Sequence, residues 1–414
     1  MKLLIGGSPC THWSIAQTKN RETEASGIGW ELFLNYRIAR DKYKPDYFLY
    51  ENNKSMSPAI RTQITAELDV EPVLINSALV SAQNRQRLYW VGKRNPDGTY
   101  SQVPVEQPED RGILLRDILE TGVAWSEKSY CITATEAKGS NPQQTLTKHR
   151  RTMVAEPIVV NGMKNGKART VDAHMGKLEN NLVPRINNPN QAKQQYDCIA
   201  EPVRVGTIEN DAKNSAFDSQ QYRVYSPDGK SVTLCGNGGG LGAKTGLYAT
   251  PVGGPDGKAW PVYEVRDGFI AIKGKRYPIK LRDGFYIIRK LTVTECKRLQ
   301  TVPEEYVFPV SNSQAYKMLG NGWTVDVIAH IMSHFEGLTT EPVEVLSMYD
   351  GMSCGHIALG KLGVQPWLLR YYATEIDKYA IQTTQHNFPE TIQLGDAFQV
   401  RNDDWRVEER MKGV

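Results

Sequence analysis

Leu3-Leu4-Ile5-Gly6-Gly7-Ser8-Pro9-Cys10 stands at the head of the chain and decides how the rest is read. Three apolar residues run into two glycines, a serine and a proline, the pattern of a strand entering a tight turn. The glycines permit backbone angles that other residues resist, and Pro9 fixes φ just before the thiol. Open α/β sheets bind ligands at the carboxyl ends of their strands. Cys10 is therefore a candidate nucleophile, although an isolated cysteine in a turn is more often inert core. The rest of the chain tips the balance towards the nucleophile.

Outward from this turn, residues 1–93 alternate between strand and helix patterns. Trp30, Phe33, Leu34 and Ile38 fall at helical spacing, and Tyr47-Phe48-Leu49-Tyr50 reads as a buried strand ending in Glu51-Asn52-Asn53. A helix over 57–68 and strands at 73–75 and 88–91 follow. Such alternation implies a sheet with helices on its faces. Glu51, like Cys10, sits at a strand end and is a candidate acid, with a capping or ion-pair role as the alternative. Arg85 and Arg87 alternate, so on an extended backbone they share a face suited to a phosphate or a base carbonyl.

From 94 to 285 long helical periodicity disappears. Gly, Asn, Lys and Thr become common, and short β-prone runs recur at 158–160, 222–225, 231–234, 269–272 and 286–288. This reads as a separate, loop-rich β domain. Between Lys138 and Lys193 there are ten Lys/Arg against three acids, Glu156, Asp172 and Glu179, an excess suited to a polyanion. The run GNGGGLGAKTG at 236–246 fails the phosphate-loop pattern, because Ala243 separates the glycine from Lys244. A loop lying against nucleic acid suits it better.

Helices return after 286. Thr292 and Glu295 have capping-box spacing, and a Gly-Asn-Gly turn at 320–322 precedes Trp323 and an amphipathic helix. The strand 344–349 then enters Asp350-Gly351-Met352-Ser353-Cys354-Gly355, followed by a helix from 356 to 362. Strand, Gly-rich turn and helix make a cofactor site at a helix N-terminus. The next strand ends in Glu375-Ile376-Asp377 and the third in Gly395-Asp396. An acid about two dozen residues after the glycine turn is placed for ribose hydroxyls.

The whole composition is that of a globular protein, with a net charge of +4. No apolar run is long enough to cross a bilayer, and no signal peptide opens the chain. The six cysteines, at 10, 131, 198, 235, 296 and 354, include no CxxC pair and have no histidine cluster. That pattern argues against a disulfide framework and against a zinc site, and favours a reducing cytoplasm.

Together these motifs resemble the DNA (cytosine-5) methyltransferases, with the motif order circularly permuted. Moving 341–414 ahead of Met1 restores the usual order. The resemblance covers the flanks of the chain and not its middle. Cys10 matches the Pro-Cys nucleophile, Glu51 the acid of the Glu-Asn-Val motif with Asn53 in place of Val, and Gln83, Arg85 and Arg87 the Gln-x-Arg-x-Arg motif. Arg289, Thr292, Glu295, Gln300 and Pro303 match the motif that follows the recognition domain. Thr11 and Tyr349 depart from the common Gln and Phe.

The resemblance implies an α/β fold: a Rossmann-like S-adenosylmethionine-dependent methyltransferase sheet with helices on both faces, plus a loop-rich, mainly β target-recognition domain. The expected domains are a catalytic half at 1–93, target recognition at 94–285, return helices at 286–340 and a cofactor half at 341–414. The implied reaction methylates carbon 5 of a flipped-out cytosine in double-stranded DNA and leaves S-adenosylhomocysteine. Cys10 adds to carbon 6, Glu51 holds the N3 edge, Arg85 binds O2 and Arg87 orders the active-site loop. Nearby arginines or a helix start would favour the Cys10 thiolate. The implied cofactor contacts are Pro9, Asn321, Trp323, Tyr349, Asp350, Gly351, Gly355, Glu375, Ile376 and Asp396. Candidate DNA contacts are Ser8, Gln83, Lys148, Arg150, Arg151 and Lys244. No metal and no membrane are needed, a monomer is expected, and bacteriophage or bacterial self-marking is the expected setting, with or without a restriction partner. The alternatives are a catalytically silent DNA-binding accessory protein and an RNA cytosine-5 methyltransferase.

Overall fold

The computed structural model describes residues 1–9, 12–13, 21–138, 142–148, 151–157, 204–207, 223–225, 247–248, 262–272 and 274–402. Cys10, Arg150 and Lys244 lie outside the described residues, as do the strands expected at 158–160 and 231–234. The chain divides into two compact units, Met1–Met153 with Lys290–Val414, and Val154–Arg289.

Along the first unit run β1 (Lys2–Gly6), α1 (Gly27–Tyr43), β2 (Tyr47–Asn53), α2 (Pro58–Leu68), β3 (Pro72–Asn76), β4 (Gln86–Arg94), β5 (Tyr100–Gln102), α3 (Leu115–Ile118) and α4 (Pro142–Lys148). The strands that follow, most of them in the second unit, are β6 (Met153–Pro157), β7 (Arg204–Thr207), β8 (Arg223–Tyr225), β9 (Leu247–Tyr248), β10 (Val262–Arg266), β11 (Phe269–Ile272), β12 (Lys275–Pro278) and β13 (Gly284–Lys290). The first unit resumes with α5 (Val293–Leu299), α6 (Asn312–Asn321), α7 (Val325–Met332), β14 (Val343–Met348), α8 (Cys354–Lys361), β15 (Leu369–Thr374), α9 (Lys378–Asn387), β16 (Ile392–Gly395) and α10 (Ala397–Asn402).

The first unit is built on a sheet of order β16-β15-β14-β1-β2-β4-β3, with β5 paired to β4. From β16 to β2 the neighbours are parallel. β4 inserts antiparallel to both β2 and β3. Strands covered on both faces need continuous apolar runs, and Leu3, Leu4, Ile5, Phe48, Leu49, Val345 and Leu346 are all inaccessible. One face takes α1 and α2: Phe33, Tyr36, Ile60 and Ile64 join Leu4, Phe48, Tyr50 and Met348 in one core. The other face takes α8, so close that a Cβ on Gly355 would lie 2.3 Å from Ile5 Cδ1.

β14 comes more than 300 residues after β1, yet the two are central neighbours in register, Lys2 opposite Glu344 and Gly6 opposite Met348. The Met1 ammonium donates to Pro342 O at 2.7 Å. The glycine turns after these two strands therefore open at the same edge of the sheet.

Residues 94–153 fall in the first unit, whereas their texture places them with the β-rich middle. They have little periodicity of their own because backbone bonds to the connection between β3 and β4 hold them. Arg111 N donates to Leu79 O at 2.8 Å, Ser129 N to Ala82 O at 2.7 Å and Asn84 N to Ser129 O at 3.0 Å. The second unit contains a sheet of order β12-β11-β10-β13-β6, antiparallel from β12 to β13, and a small sheet of order β7-β8-β9. Arg289 pairs with Glu156 across β13 and β6 at 2.6 Å.

Candidate active site

At the carboxyl end of β1, Gly6 and Gly7 let the chain pass close to its neighbours. A Cβ on Gly7 would lie 2.9 Å from Glu51 Oε2 and 3.0 Å from Glu51 O. The turn that leads to Cys10 is thus pressed against the candidate acid. Glu51, near the end of β2, is held from two sides. Trp323 Nε1 donates to its Oε2 at 2.9 Å, and Arg87 Nε lies 3.0 Å from its Oε1. The carboxylate is mostly buried, 12% exposed, and its ion pair is accordingly little screened by water.

Arg85, just before β4, and Arg87, within it, do point to the same side, since both guanidiniums reach Cys131 Sγ, at 3.3 and 3.8 Å. Their tasks differ. Arg85 is buried, and its terminal nitrogens donate to Ile132 O, Gly320 O and Gly322 O at 3.1, 3.1 and 2.8 Å. It ties the Gly-Asn-Gly turn to the sheet and has no terminal nitrogen left over for a base. Arg87, beside Glu51, is the guanidinium at the carboxylate.

Gln300 completes this anchorage. Its Nε2 donates to Leu319 O and Gly322 O, at 2.6 and 3.0 Å, and its Oε1 accepts from Gln83 Nε2 and Thr324 Oγ1. It follows α5, whose start is fixed by the expected capping box: Glu295 N donates to Thr292 Oγ1, and Thr292 N donates to Glu295 Oε2.

The turn after β14 lies close by. A Cβ on Gly322 would be 3.1 Å from Cys354 Sγ, at the start of α8. Gly351 takes φ +60°, its N donates to Glu375 Oε2 at 2.8 Å, and nothing stands within 4 Å of a Cβ placed on it. Glu375 also accepts from Ile376 N and Asp377 N, at 2.7 and 2.8 Å. Its carboxylate is thereby fixed at the end of β15, with lone pairs remaining for a hydroxyl. Ile376 beside it is 74% exposed. Asp396, after β16, accepts from Phe398 N through Oδ1. An open glycine turn, a preset carboxylate, an exposed apolar side chain and a second acid at the next strand end fit a nucleoside-bearing cofactor.

Several expected contacts are turned inward instead. Asp350 accepts from Ser347 Oγ at 2.6 Å, Tyr371 OH at 2.8 Å and Ser353 Oγ. Burial pushes its carboxyl up to about 6, against the pull of those hydroxyls. It shapes the turn from beneath. Tyr349 OH donates to Leu32 O in α1, while Asn321 is exposed at the end of α6. Ser8 is no surface contact: its Oγ lies 2.6 Å from Tyr50 OH, and Asn52 Nδ2 donates to its carbonyl. Gln83 is buried too, donating to Leu299 O and accepting from Ile132 N. Motif matching marks both positions but does not tell an inward side chain from an outward one. Lys148 is exposed, and Arg151 Nη2 donates to Thr135 Oγ1. Pro9 is exposed in the β1 turn.

The family model for C-5 cytosine-specific DNA methylase matches residues 1–238 and 272–336. The chain belongs to the C-5 cytosine-specific DNA methylases. Methylation of cytosine in DNA is therefore its activity, and the Glu51 cluster lies in a methyltransferase sheet. Among its relatives, orphan methyltransferase M.SPRI of Bacillus phage SPR is 25% identical over 80% of this chain and 81% of its own length. Orphan methyltransferase M.SPBetaI of Bacillus phage SPbeta is 26% identical over 72% and 68%. Type II methyltransferase M.HhaI of Haemophilus parahaemolyticus is 31% identical over 27% and 24%. Among the described residues of this methylase, no helix is long and apolar enough to cross a membrane. Nor, among them, do three His, Cys, Asp or Glu side chains gather as metal ligands.

Cys131 is the residue at this site that sequence reasoning passes over. It lies inside the span assigned by texture to target recognition, and no motif marks it. Only the return of residues 129–134 beside residues 82–84, just before β4, brings it between the two arginines.

Proposed function

We propose that this methylase transfers a methyl group from S-adenosylmethionine to carbon 5 of a cytosine flipped out of duplex DNA, through a Cys10 adduct at carbon 6. The observation that carries the reading is the Glu51–Arg87–Trp323 cluster against Gly7, at the sheet edge shared with the Gly351 turn. Carbon 5 of cytosine is a poor nucleophile, and the ring faces from which a thiolate and a methyl group must approach are covered by stacking, so the base must leave the stack and be activated. The Cys10 thiolate adds to carbon 6, forming a C–S bond and making the ring enamine-like. Glu51 engages the N3 edge and stabilises the charge that develops there.

Arg87, rather than Arg85, holds the O2 edge, because Arg85 has both terminal nitrogens on carbonyl oxygens. Trp323 fixes the rotamer of Glu51. S-adenosylmethionine, when bound, supplies an electrophilic methyl group for carbon 5. Loss of the carbon-5 proton and departure of the Cys10 thiolate then restore the ring. Glu375 would take the ribose hydroxyls, Asp396 the adenine amine and Ile376 the adenine face. Gly351 and Gly355 keep the turn open and the helix close to the sheet.

The same reading makes β14 to α10 the cofactor half in permuted order. It is supported by the central pairing of β14 with β1 and by a family match that ends at residue 336. Nucleoside mass spectrometry of DNA from cells expressing the protein, beside a Cys10→Ala control, tests the proposal. 5-Methylcytosine only with Cys10 present supports it; the mark in both samples removes the adduct from the mechanism.

A further inference from the structure

The stretch from Ser129 to Ala134 runs beside residues 82–84, in the connection that leads into β4, and is held there by its own backbone. Ser129 N donates to Ala82 O at 2.7 Å and Ile132 N to Gln83 Oε1 at 2.8 Å. On its far side, Thr133 and Ala134 press so closely on Gly320 that a Cβ there would lie 2.1 Å from Thr133 C. The position of residue 131 is thus fixed from both flanks without help from its own side chain. Its sulfur occupies the space between two guanidiniums. Arg85 Nη1 donates to Sγ at 3.3 Å and Arg87 Nη2 at 3.8 Å. Arg87 Nε faces Glu51 Oε1 at 3.0 Å.

We propose that Cys131 is a positioning residue for methyl transfer, its sulfur steering the Arg87 guanidinium so that Nε stays against Glu51. The proposal rests on the reading of Glu51 and Arg87 given above. Arg85 keeps three carbonyl partners without the sulfur, whereas Arg87, whose Nη1 donates to Gln86 O at 2.9 Å, loses the sulfur as acceptor for its Nη2, so the effect of removing the sulfur falls mainly on the orientation of Arg87. Charge strengthens the contact. Burial works to raise the Cys131 thiol, but Arg85 and Arg87 outweigh it and hold it below the ordinary thiol range. Cys131 has no assigned contact with base or cofactor, so it acts through Arg87.

The test is a double-mutant cycle on the full-length protein with duplex DNA and S-adenosylmethionine. Cys131→Ala should lower kcat about tenfold, with the KM for DNA within about twofold and Tm within about 2 °C of wild type. Cys131→Ser, which keeps an acceptor, should recover most of the loss. In an Arg87→Lys background, Cys131→Ala should change kcat by less than about twofold, because the group it positions has already been altered. An unchanged kcat in Cys131→Ala overturns the proposal. So does an equal loss in both backgrounds, or a loss confined to Tm. Absence of 5-methylcytosine with the wild-type protein is a different result, the failure of the underlying reading.

Discussion

Trp323 Nε1 donates to Glu51 Oε2 at 2.9 Å, linking residues 272 positions apart. The indole comes from the turn between α6 and α7, and the carboxylate from β2. This contact connects the Gly-Asn-Gly turn, and through it the start of α8, to the acid proposed to engage the base. Trp323→Phe keeps the ring and removes the donor. A charge-assisted hydrogen bond contributes about 1.5–3 kcal/mol, so kcat should fall at least about tenfold, while Glu51→Gln should lower it about 10³-fold. Single-turnover methylation of duplex DNA measures both. A wild-type rate for Trp323→Phe would show that the bond has no part in the chemistry.

Arg85 and Arg87 offer a sharp contrast. Arg85→Ala strips charged donors from Ile132, Gly320 and Gly322 and leaves a void under the turn. It should destabilise the fold by about 3 kcal/mol, seen as a lower denaturation midpoint. Arg87→Ala should lower that midpoint less, because Glu51 keeps the Trp323 bond although it loses its cation, and should lower kcat about 10²-fold or more. The opposite pattern would return the base-facing role to Arg85.

Much of the fold was legible because its strands are apolar runs ended by glycine or acidic residues. Leu3–Ile5, Tyr47–Tyr50 and Leu346–Met348 announce buried strands without any knowledge of their pairing. The pairing itself was less accessible. That β4 lies antiparallel between β2 and β3 depends on long-range contacts, which period-2 alternation does not encode. Glu51 and Glu375 could be picked out as acids at strand ends, and the structure places both there, towards the end of β2 and just after β15. The inward turn of Ser8, Gln83 and Asp350 could not, because their partners, Tyr50, Leu299 and Tyr371, are distant in sequence. The segment 94–153 was misleading for a related reason: its order comes from hydrogen bonds to β4 and to the connection between β3 and β4, not from its own periodicity.

Glu375 gives a prediction about the cofactor that needs no turnover. Its carboxylate accepts three backbone N–H groups, one from Gly351 across the turn. Glu375→Ala removes the proposed ribose acceptor and releases the turn. Isothermal titration should show S-adenosylhomocysteine binding weakened at least about tenfold, the loss expected when a charged hydrogen bond of about 1.5 kcal/mol or more is removed. Duplex binding measured without cofactor should be unaffected. Unchanged affinity for S-adenosylhomocysteine would remove Glu375 from the cofactor site.

Asp350 makes stability depend on pH in a direction unusual for a carboxylate. Burial raises its folded-state value to about 6, above the ordinary 3.8, although Ser347, Ser353 and Tyr371 donate to it. Below about pH 4 both folded and unfolded chains carry the proton. Between about pH 4 and pH 6 the folded chain holds more protons than the unfolded one, so stability falls as pH rises through that window. A displacement of this size corresponds to about 3 kcal/mol, complete above pH 6. Asp350→Asn is neutral at every pH and should lack this component. Urea denaturation of both proteins from pH 4 to pH 8 should give a difference in stability that shifts towards the variant as pH rises and levels off above about 6. Parallel profiles would mean that Asp350 titrates in the folded protein as it does in the unfolded chain, with no rise caused by burial.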